Sequence, residues 1–407
     1  MSDRAKLILR LIIFLLAVGL IGLGLYFAFF RSTPAVVPGT TTGQGTPTGS
    51  LTGAGSAGEL PGAGTAAPGT TGPGTLPPSP IADGGSTLVR QLTTSAIVSP
   101  TLTASGSLAY YDPADGRFYT ITDQGTATAI SPKQFPAASN VIFSNNADSA
   151  ILEYPDGSNI VYGFTTGQQV SMPSHWTDFS FSSDGNAIAA KSIGNDASNR
   201  SLIMTSTDGS QTSVIAALGD NAGKVIVNLS PSNNVVAFSR TGTVQSGFGR
   251  QQYYLLGLDG QASGALIVDG SNFSAIWAPD GNHLLYSVAD PSNTYNAALW
   301  YADSRGDRNG DARVKINLST WVEKCTYADA STLYCAAPST IAAGDGADHT
   351  LATAMDNVYK VEVPSGKVTL VGFPAIQTQM QNLSLSSDGK TLYYQDSNGL
   401  LSAMRVK

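Results

Sequence analysis

Charge is scarce in this chain: Asp, Glu, Lys and Arg make up 13% of its 407 residues. The formal charge is −7, and Arg4, Lys6, Arg10 and Arg31 against Asp3 leave residues 1–31 at +3 and the remainder at −10. An acidic remainder without a basic stripe excludes nucleic acid as a partner. Cysteine is scarcer, with two residues, which excludes a framework of many disulfides. Histidine occurs three times, at His175, His283 and His349, and no two are spaced as His-x-His or His-x-x-His, so no local zinc site is encoded. No Gly-x-Ser-x-Gly elbow and no phosphate loop is present.

Glycine, at 44 residues, is plentiful. Low charge with many Gly, Ser, Thr and Asn suits an exported, turn-rich β protein. One long uncharged run stands apart: the 20 residues Leu11 to Phe30. At 1.5 Å per residue a helix of that length spans about 30 Å, the thickness of a bilayer core. Residues 1–10 carry Arg4, Lys6 and Arg10, which keep the N-terminus cytoplasmic. Tyr26-Phe27-Ala28-Phe29-Phe30-Arg31 lacks the small residues of a cleavage site, so an uncleaved signal anchor is expected ahead of a cleaved signal peptide or a buried helix. Residues 31–85 are Gly, Thr, Pro, Ser and Ala and are expected to form a disordered stalk with a reach of roughly 40 Å.

From residue 86 to residue 407 a short unit recurs. Its clearest copy is Ile276-Trp277-Ala278-Pro279-Asp280-Gly281-Asn282-His283-Leu284-Leu285-Tyr286, two apolar arms about a Pro-Asp-Gly turn. Asp bonds to its own backbone in such a turn and Gly accepts positive φ, so each copy reads as a β-hairpin. Seven copies align, on Ser105, Asn146, Asp184, Ser232, Asp280, Asp329 and Asp388, at steps of 41, 38, 48, 48, 49 and 59 residues. That period suits a four-stranded propeller blade. The expected fold is therefore all-β: a seven-bladed β-propeller, with six or eight blades as alternatives, behind one transmembrane helix and a disordered linker. The last copy has room for three strands only. Residues 86–92 are expected to add the fourth and close the ring, leaving no open edge.

The unit Trp277-Ala278-Pro279-Asp280-Gly281-Asn282 resembles the Trp-Ser-Pro-Asp-Gly-Lys repeat of TolB-like and WD-repeat-like propellers. That resemblance implies architecture; function varies widely among such propellers. The turn aspartates are structural on this reading.

Cys325 and Cys335 lie symmetrically about Ala330, on facing strands of the sixth copy. Directly facing strand residues approach disulfide range, and an exported domain favours oxidation, so a Cys325–Cys335 bridge is expected, with two buried thiols as the alternative. Their counterparts in the fifth copy, Ile276 and Tyr286, are expected to face each other. Asp307, Asn309 and Asp311 have the 1-3-5 spacing of a calcium loop. The positions that need Gly and a bidentate Glu hold Ala312 and Leu318, so a solvated hairpin loop is preferred and Ca²⁺ is at most weakly bound. Trp176 and Trp321 both precede their turn Asp by eight residues and are read as packing residues.

The expected function is a non-enzymatic module at the cell envelope: a membrane-anchored, extracytoplasmic propeller binding a protein or glycan. A propeller hydrolase or lyase acting on envelope polymers is the alternative. No catalytic residue and no cofactor beyond the weak Ca²⁺ candidate is assigned. Contact residues are expected in Gly194–Arg200, Thr241–Gln251, Pro291–Tyr295 and Ala336–Met355.

Overall fold

The computed structural model describes residues 77–407, apart from Val244, Phe248 and the side chain of Asp307. The span Leu11 to Phe30 and the stalk up to residue 76 lie outside the described residues. Among those described, no helix is long and apolar enough to cross a membrane.

Seven sheets follow one another in chain order, each built on four antiparallel strands. The first blade comprises Val98–Leu102, Leu108–Asp112, Arg117–Ile121 and Ala127–Ala129. The second runs from Asn140–Phe143 to Gln169–Met172, the third from Trp176–Phe181 to Thr212–Ala217, and the fourth from Val225–Val227 to Ala262–Asp269. The fifth spans Ser271–Trp277 to Val314–Ile316, and the sixth Cys325–Asp329 to Lys367–Pro374. The seventh has Met380–Leu385, Thr391–Asp396 and Leu401–Arg405, with Val89–Gln91 as its outer strand, paired antiparallel to Leu401–Arg405. The fold is a seven-bladed β-propeller. The outer strand donated from the N-terminal side closes the ring.

Closure extends beyond the expected strand. Ser86–Thr87 pairs in parallel with the outer strand of the sixth blade, Ser86 opposite Phe373 and Thr87 opposite Pro374. Residues that composition assigns to the stalk also join in: the Ala82 amide donates to Arg405 O at 2.9 Å and Gly84 to Val371 O at 2.8 Å. The segment 79–91 thus ties the sixth blade to the seventh, while Leu92 and Ile97 pack with Leu108, Tyr110, Tyr393 and Leu401 across the seam between the seventh blade and the first.

The repeat's chemistry explains its turns. In six copies the amide of the fourth turn residue donates back to the carbonyl of the first, as Gly281 to Ala278 at 2.9 Å and Gly389 to Ser386 at 2.8 Å. That fourth residue is left-handed throughout: Gly106, Gly185, Gly281 and Gly389, with Ala147 at φ +55° and Asn233 at φ +56°. The Asp carboxylate takes its own backbone, with Asp280 Oδ1 accepting from the Asn282 amide at 2.9 Å and Asp388 Oδ1 from Lys390 at 3.0 Å. Neighbouring turns also touch. A Cβ on Gly281 would fall 2.7 Å from the Ser232 backbone nitrogen, so glycine permits the close approach of adjacent blades. The turns lie at one end of the channel, where Gly106 meets Ser387, Gly185 meets Ser144, and the Ser183 amide donates to Asn233 Oδ1 at 3.3 Å.

One register differs from expectation. Cys325 does face Cys335, but in the fifth blade Ile276 faces Leu285, and Tyr286 faces Ala275. A bulge between Tyr327 and Asp329 recentres the sixth hairpin; the fifth has none there. Cys325 and Cys335 are joined in a buried disulfide within the apolar seam of blades five and six. Trp176 and Trp321 are both buried, 8% and 4% exposed, and serve packing.

Candidate functional site on the loop face

Turns between first and second strands occupy one face of the disc, so connections between second and third strands lie on the other. The long connections of blades three to six all fall there, and three of them interlock. Gly249 sits against Pro291, and its carbonyl accepts from the Gly270 amide at 3.0 Å. The sixth blade's loop reaches back to the fifth blade, with Gly344 N donating to Thr294 O at 2.9 Å and Gly346 N to Tyr295 O at 3.0 Å. A Cβ on Gly346 would lie 2.3 Å from the Tyr295–Ala297 backbone, so only glycine fits. Trp321 fixes the same point, its indole Nε1 donating to Gly346 O at 3.0 Å. On the other side the Gln379 side chain donates to Ala352 O, and the Asp356 amide to Thr378 O at 3.1 Å. These contacts hold Leu351, Met355 and Ile376 on the rim of blades six and seven, where Ile376 is 86% exposed.

Beneath this rim Lys324 Nζ meets Asp356 Oδ2 at 2.6 Å, with both side chains almost wholly buried. The same oxygen accepts from the Met380 amide at 2.6 Å, while Asp356 Oδ1 has no hydrogen-bond partner among the described residues. Burial pushes the Asp356 carboxyl up, against the Lys324 charge.

The channel mouth on this face is lined by bulged inner strands. Ser99, Asp178, Asn272 and Asn382 adopt left-handed conformations at the bulges of blades one, three, five and seven. Asp178 pairs with Lys191, and Ser274 Oγ donates to Glu323 Oε1 at 2.5 Å. His175 stands exposed just before Trp176, and His349 lies on the long loop, its ring 6.5 Å from Trp321. His283 is on the opposite face, with Nδ1 2.7 Å from Asp280 Oδ2. The three histidines are thus distributed over blades three, five and six. Among the described residues no three His, Cys, Asp or Glu side chains are grouped to hold a metal ion.

Asp307, Asn309 and Asp311 fall in the fifth blade's outer turn, on the turn face. Asn309 is buried and its Oδ1 accepts from Ser304 Oγ at 3.3 Å, whereas Asp311 is exposed, 3.9 Å from Arg308 Nε. The anchor of this loop is Asp303, which sequence reasoning missed. Its buried carboxylate binds Arg305 NH2 at 2.5 Å and Arg308 NH2 at 3.2 Å. The hydrogen bond from Arg305 holds its carboxyl down at about 2. The alternation of Asp and Arg over 303–313 was the available signal.

No protein-family model and no curated protein matches the chain. Solved structures do. An oligogalacturonate lyase in complex with manganese superposes with a TM-score of 0.54 at 13% identity, over 78% of this chain and 93% of that one. The oligogalacturonate lyase of Vibrio parahaemolyticus gives 0.53 at 11%, over 78% and 93%. A streptogramin B lyase gives 0.50 at 9%, over 78% and 97%. At such identities the likeness establishes the class, a seven-bladed propeller, and not an activity.

Proposed function

We propose that this chain is a membrane-anchored, extracytoplasmic propeller of the TolB-like, WD-repeat-like kind whose loop face binds a cell-envelope protein or glycan. The observation that carries this reading is the interlocked rim. Backbone hydrogen bonds through Gly344 and Gly346 and the Trp321 anchor tie the long loops of blades five and six together, and the rim leaves Leu351, Met355 and Ile376 exposed. Rigid loops carrying exposed apolar side chains suit a docking surface, because little ordering entropy is lost on binding. The uncharged run Leu11 to Phe30 and the Thr/Gly/Pro segment after it support anchoring and display.

Crosslinking of the full chain in its native membrane tests the reading. A partner retained by wild type and lost by Leu351→Asp and Ile376→Asp is expected; equal capture by all three proteins would refute it. The second reading is a propeller lyase or hydrolase, favoured by the lyases among similar structures. Against it, Asp178 and Glu323 at the channel mouth are each engaged by their own partners. Turnover of oligouronides by the purified chain would favour the enzyme.

A further inference from the structure

The fourth blade holds a cationic cavity on the loop face. Lys224 ends the short helix Gly219–Lys224 leading into that blade, and the Arg240 amide donates to Lys224 O at 2.9 Å. Arg250 opens the third strand, across the connection. The three side chains line a cavity of 430 Å³ whose other walls are Thr241, Thr243, Gln251, Gln252 and glycine backbone, with no carboxylate among the described residues. Such a volume lies within the usual range of small-ligand sites.

The cations are under-neutralised. Neither Lys224 nor Arg240 has a carboxylate within ion-pair distance among the described residues. Asp220, on the same short helix as Lys224, is 3.7 Å from Arg200 instead. Arg250 Nε lies 2.6 Å from Asp269 Oδ1 at an angle that makes an ion pair rather than a hydrogen bond, and Asp269 is shared with Arg313 at 3.2 Å. Two guanidiniums on one carboxylate leave a surplus positive charge beside the other two cations. This surplus sits in a chain whose remainder beyond residue 31 is −10. Arg240 also lies near the Tyr253 hydroxyl, where it opposes the upward push of burial on that phenol.

From this convergence we propose that the fourth-blade cavity binds the carboxylate or phosphate group of a small anionic ligand. Charge-assisted bonds from Lys224, Arg240 and Arg250 hold the anion. The proposal stands apart from the apolar rim and needs none of its residues.

Titration calorimetry of the full chain at low salt, with trigalacturonate, inorganic phosphate and maltotriose, tests it. Saturable binding of trigalacturonate and none of maltotriose is expected, weakened roughly tenfold by Lys224→Ala or by Arg240→Gln, retained by Arg240→Lys, and reduced by added salt. Binding of phosphate alone, lost in the same variants, supports the cavity and assigns phosphate as the group it takes. Absence of binding of both anions at millimolar concentration overturns the proposal, as does binding that Lys224→Ala and Arg240→Gln leave unchanged while their melting curves match wild type. Leu351→Asp is expected to keep anion binding, which separates this site from the rim.

Discussion

Lys324→Met probes how the blade six–seven seam is held. Lys324 and Asp356 are 3% and 0% exposed at the side chain and 2.6 Å apart, and Asp356 also receives the Met380 amide from the seventh blade. Removing one member of a buried pair leaves an uncompensated charge, at a cost of about 3–5 kcal/mol. A propeller of this size, with an unfolding entropy of about 0.7 kcal/mol/K, would lose about 4–7 °C in Tm. The cost depends on pH. Burial already raises the Asp356 carboxyl, so its protonated form is the one the fold favours, and its contribution is present at low pH and lost as pH rises through the folded value. Without Lys324 that value rises further. The variant is therefore expected to lose more stability at high pH and less at low pH, where the carboxyl takes up a proton. Lys324→Met/Asp356→Leu, which makes the pair apolar, should lose less than either single change. Denaturant unfolding at two pH values measures this cycle. Additive single and double effects, or a loss from Lys324→Met that does not change with pH, would refute the reasoning.

Deleting residues 86–92 removes both strands that close the ring and the seam residue Leu92. A loss of at least about 5 kcal/mol is expected, read as a fall in Tm by circular dichroism; an unchanged Tm would sink the closure account. Asp303→Asn removes a carboxylate held down at about 2 by Arg305. Because the folded value is depressed, its contribution, on the order of 2 kcal/mol, is present above the unfolded value near pH 4 and lost as pH falls towards 2. The variant should be less stable at pH 7 and show a flatter acid limb; parallel limbs would count against the assignment. Cys325 and Cys335 close a loop of sequence separation 10, so Cys325→Ala/Cys335→Ala should lose about 2–3 kcal/mol, and reductant should lower the Tm of wild type by a similar step.

The blades were legible because the turn repeats and its chemistry is local: a carboxylate on its own backbone and a fourth residue that tolerates left-handed φ. Even the degenerate copies at Ala147 and Asn233 keep that conformation. The outer strand Val89–Gln91 was legible from the missing fourth strand of the last copy. Its companion Ser86–Thr87 was not, since two residues in parallel pairing leave no periodic trace. The facing of Ile276 was misread because a single bulge moves a register by one residue, and bulges leave no reliable mark in sequence. Lys324 and Asp356 are 32 positions apart and read singly as surface charges; only the seam brings them together.

The division between what repeats and what does not explains why the motif is silent about function. On the turn face the repeated Asp and Ser groups accept from and donate to their own hairpins, and neighbouring turns close on each other through Gly281 and Ser232. Those polar groups are already engaged, and substituting one would be felt in the ring before it was felt by a ligand. On the loop face the residues that stand out occur once each. Lys224, Arg240 and Arg250 gather on the fourth blade, and Leu351, Met355 and Ile376 on the rim of the sixth and seventh. Each group draws on separate connections that only the ring geometry brings side by side. One face thus closes the fold, and the other carries distinct polar and apolar chemistry on a scaffold that the first holds rigid.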